Sequence, residues 1–82
     1  MKVLKFAADW CGPCKMLSKT LEDYNGDVQI QEIDIDADQE VAIRYGIRGV
    51  PTLVLLDDSG SELRRKSGMM MLGDFEKFLK GE

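Results

Sequence analysis

The chain contains no histidine, only two cysteines and no long apolar run among its 82 residues. A membrane-spanning helix needs about 20 consecutive apolar residues, so we expect no membrane partner. The 11 basic residues are outnumbered by 15 acidic ones, and the net charge of -4 provides no basic stripe to neutralise phosphates. The composition therefore argues against nucleic acid and against anionic membrane surfaces as main partners.

The length indicates one domain over residues 1–82, with a modest core. A composition of 44% hydrophobic and 32% charged residues is typical of a globular protein. The apolar stretch at the amino terminus is interrupted by Lys5 and runs directly into the two cysteines. A cleaved signal peptide would remove those cysteines, so we expect an intracellular, cytoplasmic protein.

Hydrophobic periodicity predicts four strands and three helices. The strands are expected at 2–7, 28–36, 52–56 and 61–67. The first helix follows Cys14, includes Tyr24 and ends at the Asn25-Gly26 pair. The second is capped by Asp38 and ended by Gly46, and the last helix includes Phe75, Phe78 and Leu79.

This order is β-α-β-α-β-β-α. A right-handed crossover makes the first two strands parallel, and the last two strands form a hairpin around the turn at 57–60. We therefore predict an α/β fold with a four-stranded mixed sheet and three helices. The second strand carries polar residues on both faces and is predicted to lie at an edge of the sheet.

Cys11 and Cys14 sit where the first strand ends and a helix begins. Free backbone N–H groups and the helix dipole favour a thiolate there, so Cys11 is the expected nucleophile. Cys14 lies one turn further on and can attack a mixed disulfide formed at Cys11. Pro13 fits the first helical turn, and Gly12 leaves the approach to sulfur uncrowded. The spacing therefore favours thiol–disulfide exchange without a bound cofactor.

Two other uses of the cysteine pair remain open. A structural disulfide is disfavoured in a reducing cytosol, and such a short loop removes little chain entropy. A metal site needs four ligands, and the chain has no histidine and no further cysteine. Zinc or an iron–sulfur cluster would therefore have to be shared between two chains, and we expect no metal.

Three segments together resemble the thioredoxin family: WCGPCK at 10–15, YGIRGVPTL at 45–53 and DFEKFL at 74–79. The resemblance covers nearly the whole chain and implies a thioredoxin fold with strand order 2-1-3-4. It begins at the family's second strand, so we expect a glutaredoxin-sized domain without the family's leading strand and helix.

The resemblance also implies roles for individual residues. Cys11 matches the attacking cysteine and Cys14 the resolving one, while Trp10 matches the aromatic residue beside the site. Pro51 matches a cis-proline that faces the disulfide. The remaining substrate-binding candidates are Gly49 and Val50, which match a segment that pairs with a substrate peptide, and Gly68, which matches a glycine that keeps the substrate groove open.

The sequence departs from the family at two charged positions. The resemblance implies a buried aspartate in the first strand and a lysine on its neighbour, but this chain has Lys5 and Glu32 there. On adjacent strands the two side chains would neutralise each other. We hypothesise that Glu32, or water held by the pair, takes part in proton transfer while Lys5 favours the thiolate. The alternative is that both side chains reach solvent and take no part in catalysis.

Met69, Met70 and Met71 form a second departure, in the loop that flanks the substrate groove by resemblance. Methionines adapt to varied partner surfaces, although we expect one or two of these three to pack in the core.

The function expected from the resemblance is reduction of protein disulfides by a monomer, with a reductase or glutathione as electron donor. The alternatives are a glutaredoxin-like reductase that uses glutathione and a non-catalytic binding module.

Overall fold

The computed structural model describes residues 1–82 and contains the predicted elements in the predicted order. The strands are β1 (Lys2–Ala7), β2 (Gln29–Asp34), β3 (Thr52–Leu56) and β4 (Glu62–Ser67). The helices are α1 (Gly12–Leu21), α2 (Gln39–Arg44) and α3 (Leu72–Lys80). None of the helices has the length and apolar character needed to cross a membrane.

The four strands form one mixed sheet in the order β2-β1-β3-β4, which confirms the predicted fold. β1 pairs in parallel with β2, and the β1–β3 and β3–β4 pairs are antiparallel. β2 lies at an edge, as its polar sequence predicts. β1 and β3 lie in the centre, where both faces are covered, and this explains their almost uninterrupted apolar sequences.

Alternate residues of the central strands supply two separate cores, because successive side chains of a strand point to opposite faces. One core joins the sheet to α1 and α3; its buried members are Val3, Leu17, Leu21, Leu53, Leu55, Met70, Phe75 and Phe78. The other joins the sheet to α2; its buried members are Leu4, Phe6, Ile33, Ala42, Val54 and Leu56. The sheet is thus a middle layer with helices on both faces.

The first helix ends earlier than predicted. Its last regular residue is Leu21, and the amides of Asp23 and Tyr24 bond to carbonyls three residues back, which tightens the chain into a turn. The Tyr24 ring still packs edge-on against Phe75, and its hydroxyl accepts a hydrogen bond from the Val28 amide. The apolar spacing that extended the predicted helix therefore reflects packing of a turn residue.

The proposed cap of the second helix is wrong in one respect. Asp38 occupies the N-cap position of α2, but its side chain makes no capping hydrogen bond. Its backbone φ and ψ of -116° and 58° lie outside the extended conformation that N-cap residues ordinarily adopt. The end of α2 is as predicted, since Gly46 follows it with a positive φ of 65° that glycine accommodates readily.

We predict that Arg64 on β4 stabilises the end of α3. Its guanidinium donates to the carbonyls of Phe78 and Leu79, at 2.9 and 3.3 Å. The Phe78 carbonyl also accepts from the Gly81 amide, whereas Leu79 lies in the last turn, where a helix leaves its carbonyls without intrahelical donors. We expect Arg64→Met to lower the free energy of unfolding by about 1–2 kcal/mol. The measurement is urea denaturation at neutral pH. The exposed Lys66 on the same strand is the control, and an equal loss in Lys66→Met would contradict the assignment.

The turn between β3 and β4 should make stability depend on pH. Asp57 accepts hydrogen bonds from the Ser59 hydroxyl and from the amides of Ser61 and Ser59, which hold the pKa of its carboxyl below the ordinary value. Because the pKa is lowered by folding, the carboxylate stabilises the fold at neutral pH, and this contribution is lost as pH falls through the folded pKa.

We therefore expect Asp57→Asn to reduce stability at neutral pH and to flatten the acid side of the stability curve. Denaturant titrations between about pH 7 and pH 2 test this expectation. The exposed Asp27 offers a control for the loss of one surface carboxylate. Parallel curves for wild type and Asp57→Asn below pH 4 would show that the turn has no such role.

Candidate active site

Cys11 is the N-cap residue of α1, placed there because β1 ends at Ala7 and the chain turns into the helix within a few residues. Its backbone is extended, with φ -92° and ψ 106°, and its sulfur accepts a hydrogen bond from the Cys14 amide at 3.1 Å. Cys11 and Cys14 form a disulfide across a Cα–Cα distance of 5.2 Å. After reduction, the helix N-terminus would favour a thiolate at Cys11.

Both cysteines are buried, with 4% and 2% of their surfaces exposed. They form a small cluster with Ala7 and Ala8, and Val50 packs against it. Pro13 stands in the first turn of α1, where its missing N–H removes no helical hydrogen bond. A Cβ added at Gly12 would meet no atom within 4 Å, so the space beside Cys11 is open.

Trp10 projects into solvent beside the disulfide, with 69% of its surface exposed. Its indole N–H donates to the Asp36 carboxylate at 3.0 Å, and the Asp36 amide in turn donates to Asp34. Asp36 follows the end of β2 and was not among the residues predicted from sequence. Only the topology, which brings the ends of β1 and β2 side by side, reveals this contact.

The segment before β3 has the backbone geometry that the resemblance implies. The Val50–Pro51 peptide bond is cis, and the Pro51 ring is fully buried. The Thr52 hydroxyl donates to the Gly49 carbonyl at 2.7 Å and lies 3.1 Å from the Ser67 hydroxyl. Thr52 is thus a supporting residue that the sequence did not single out, although a buried threonine at the start of a strand is a usable signal.

Gly68 connects the end of β4 to this segment. Its amide donates to the Pro51 carbonyl at 2.9 Å, and its φ of 94° is one that residues with a side chain rarely adopt. A Cβ built at Gly68 or Gly49 would meet no atom within 4 Å. Gly68 is therefore required by the backbone, and it borders open space.

Lys5 and Glu32 face each other across β1 and β2, in register. The Lys5 ammonium lies 2.6 Å from Glu32 Oε1 and also donates to the Ser18 hydroxyl on α1. The Lys5 side chain is 4% exposed and that of Glu32 60% exposed. The two residues therefore pair, and the Lys5 side chain, unlike that of Glu32, does not reach solvent. Ser18 was not predicted, although it falls one helical turn after Cys14.

The three consecutive methionines have different environments. Met70 is part of the core under α3, Met69 is half-buried and Met71 is 67% exposed. This confirms that only part of the run packs in the core. No group of three or more cysteine, aspartate or glutamate side chains converges in the way that metal ligands do.

Comparison with known protein families identifies one match: the Thioredoxin family model covers residues 1–81. The chain is 36% identical over 81 residues to a thioredoxin of Pseudomonas aeruginosa, across 94% of this chain and 74% of that protein. It is 41% identical over 68 residues to a prophage-derived thioredoxin-like protein of Bacillus subtilis, across 83% of this chain and 82% of that protein.

Solved structures agree with the sequence comparisons. A mutant thioredoxin from Halobacterium salinarum superimposes with a TM-score of 0.89 at 36% identity, covering 98% of this chain and 72% of that one. Thioredoxin-2 from a malaria parasite gives 0.84 at 27% identity, covering 99% of this chain and 82% of that one. With a cysteine pair at disulfide distance at the start of α1, the chain belongs to the thioredoxin family of thiol–disulfide oxidoreductases.

Proposed function

We propose that this protein reduces disulfides in protein substrates, with Cys11 as nucleophile and Cys14 as resolving thiol. The observation that carries the proposal is the Cys11 sulfur at the N-cap of α1, bonded to the Cys14 amide. A helix N-terminus stabilises an attacking thiolate, and the second cysteine is already within bonding distance of the first.

The reaction proceeds in two exchanges. The Cys11 thiolate attacks one sulfur of the substrate disulfide, that S–S bond breaks, and the departing substrate thiolate takes a proton from solvent. Cys14 then loses its proton and attacks the Cys11 sulfur, which releases the second substrate thiol and forms the Cys11–Cys14 disulfide. Two electrons pass from the dithiol to the substrate, and no cofactor is needed.

The residues around the disulfide give the substrate a place to bind. Gly49 and Val50 carry backbone groups that precede the cis-proline, and an extended peptide could pair with them as an added strand. Trp10 provides an exposed aromatic surface on one side, and Gly68 leaves the other side open. Gly12 and Pro13 complete the open approach to Cys11.

In this proposal residues 1–82 act as one domain and as a monomer in the cytoplasm, where thiols are kept reduced. A flavin-dependent reductase is the proposed electron donor. Insulin reduction assayed in parallel with thioredoxin reductase and with glutathione tests the donor. Turnover with glutathione alone would instead support the glutaredoxin-like alternative.

Serine substitutions separate the two cysteine roles. We expect Cys11→Ser and Cys14→Ser both to abolish turnover, because each removes one half of the dithiol. Only Cys14→Ser should accumulate a protein–substrate mixed disulfide, since Cys11 can still attack but the adduct cannot be resolved. Non-reducing electrophoresis with mass spectrometry detects the adduct. An adduct formed by Cys11→Ser instead would reverse the assignment, and unchanged turnover in both variants would favour a binding module.

The exposed Met71 should contribute to recognition of protein substrates. The loop that contains it starts at Gly68, whose amide donates to the Pro51 carbonyl, so in this proposal Met71 borders the substrate groove. We expect Met71→Ala to reduce kcat/KM for insulin about fivefold while leaving reduction of a small aromatic disulfide unchanged. Ile43 on α2 is a comparably exposed apolar residue and provides the control. Equal effects on both substrates would eliminate this role.

A further inference from the structure

Lys5 is the one ionisable side chain buried in the sheet outside the cysteine pair. It shares the sheet face of Val3, which packs under α1 and α3, so an apolar residue would be ordinary at this position. A charge removed from water is costly unless partners replace its hydration. The position therefore requires an explanation in terms of what the ammonium contacts.

The ammonium is held by two side chains from two different elements. It donates to Glu32 Oε1 on β2, and to the hydroxyl of Ser18 on α1. The Ser18 hydroxyl lies 3.4 Å from the same carboxylate oxygen. We call these three residues the Lys5 network. It fixes the end of a flexible side chain at one place between the sheet and the helix that contains the cysteines.

The Lys5 network reaches the face of α1 on which Cys14 lies, because Ser18 belongs to that face. Cys14 and Ser18 are four residues apart on α1 and share a helix face, where Cβ atoms are about 5–6 Å apart. Cys14, Ser18 and Glu32 also line one open cleft of about 360 Å³ between α1 and β2. Water in this open cleft can therefore reach the face of α1 on which Cys14 and Ser18 lie.

We propose that Lys5, held by Ser18 and Glu32, is a positioning residue whose fixed positive charge stabilises the Cys14 thiolate in the resolving step. The inference rests on the proposed dithiol exchange and adds a role for residues outside the cysteine motif. In that step Cys14 gives its proton to water in the cleft, its thiolate attacks the Cys11 sulfur, and the Cys11–substrate bond breaks. The departing substrate thiolate takes up a proton.

The buried ammonium, rather than the carboxylate, is the effective group. Glu32 is 60% exposed and already paired with a cation, so water screens its charge strongly. Lys5 is 4% exposed, and its field is screened much less. Glu32 and Ser18 therefore serve to keep the charge in place.

Other charged groups face the same cleft. Asp9 follows β1, Lys15, Lys19 and Glu22 lie on α1, and Asp34 ends β2. All are exposed except Asp34, which is half-buried. Solvent screens such charges strongly, so each should influence Cys14 less than Lys5 does.

The resolving step can be observed directly. Stopped-flow reaction of the reduced protein with stoichiometric dithiobis(nitrobenzoate) releases coloured thiolate first when Cys11 attacks and again when Cys14 resolves the adduct. The second release is independent of concentration, and its rate against pH reports the ionisation of Cys14. We expect Lys5→Met to move the midpoint of that profile up by about one pH unit. Ser18→Ala should move it in the same direction by less.

Matched variants isolate the charge from its surroundings. Ser18→Thr keeps the hydroxyl that Ser18→Ala removes, so its pH profile should match that of the wild type. Lys19→Met removes an exposed cation from the same cleft and should leave the midpoint within a few tenths of a pH unit of wild type. Superimposable second-phase profiles for wild type and Lys5→Met would overturn the inference, as would an equal shift in Lys19→Met.

A double variant distinguishes a positioning charge from a proton acceptor at Glu32. If the Lys5 charge is what matters, Lys5→Met leaves an unbalanced carboxylate near Cys14, and adding Glu32→Gln moves the midpoint back toward wild type. A double variant that resolves more slowly than Lys5→Met would contradict the inference and assign proton transfer to Glu32.

The first release of coloured thiolate is a separate test. Its absence in the wild-type protein would contradict the proposed dithiol function itself. A second release whose pH profile is the same in Lys5→Met as in wild type would contradict only the role of the Lys5 network.

Discussion

The hydrogen bond from the Cys14 amide to the Cys11 sulfur ties the reactive centre to the first turn of α1. It exists only because a central strand ends at Ala7 and a helix begins at Gly12, which leaves unpaired amides pointing at the sulfur. The core under α1 holds that helix against the sheet through Leu17 and Leu21. The cis-proline segment reaches the same place because β3 runs antiparallel to β1.

The central sheet also explains how a charge can be accommodated in so small a core. β1 pairs with β2 on one side and with β3 on the other, so neighbouring backbone groups are occupied in the sheet. The Lys5 ammonium therefore depends on side chains for its hydrogen bonds. Glu32 lies opposite in the parallel ladder, and Ser18 is supplied by the helix above. Replacing one partner of a buried ion pair is ordinarily destabilising because the other charge is left unpaired. The exposure of Glu32 lessens that constraint, since water can solvate its carboxylate.

The fold was predictable from the sequence because each element carries its own pattern. The apolar runs of β1 and β3, the alternation in β2 and the position of Gly46 after α2 each depend on neighbouring residues alone. Tyr24 misled the prediction because its apolar contact is tertiary: it packs against Phe75 from a turn. Asp38 misled it because capping depends on backbone angles that its residue type does not fix.

For the active site, sequence supplied the residues that define a motif and the charged pair Lys5 and Glu32, but it missed the other residues that support the motif. Cys11, Cys14 and Pro51 stand in recognisable segments. Asp36, Thr52 and Ser18 act through contacts between elements distant in sequence, so only the sheet register and helix packing identify them. Lys5 and Glu32 were found only because they depart from the residues that the resemblance implies at those positions.

The reduction potential of the Cys11–Cys14 couple tests most directly whether this is a reductant. It is measured by equilibrating the protein against dithiol redox buffers at neutral pH and quantifying the two forms by alkylation. We predict a value within about 40 mV of the roughly -270 mV of thioredoxin. A value near about -120 mV, the range of strongly oxidising dithiol proteins, would contradict a reducing function.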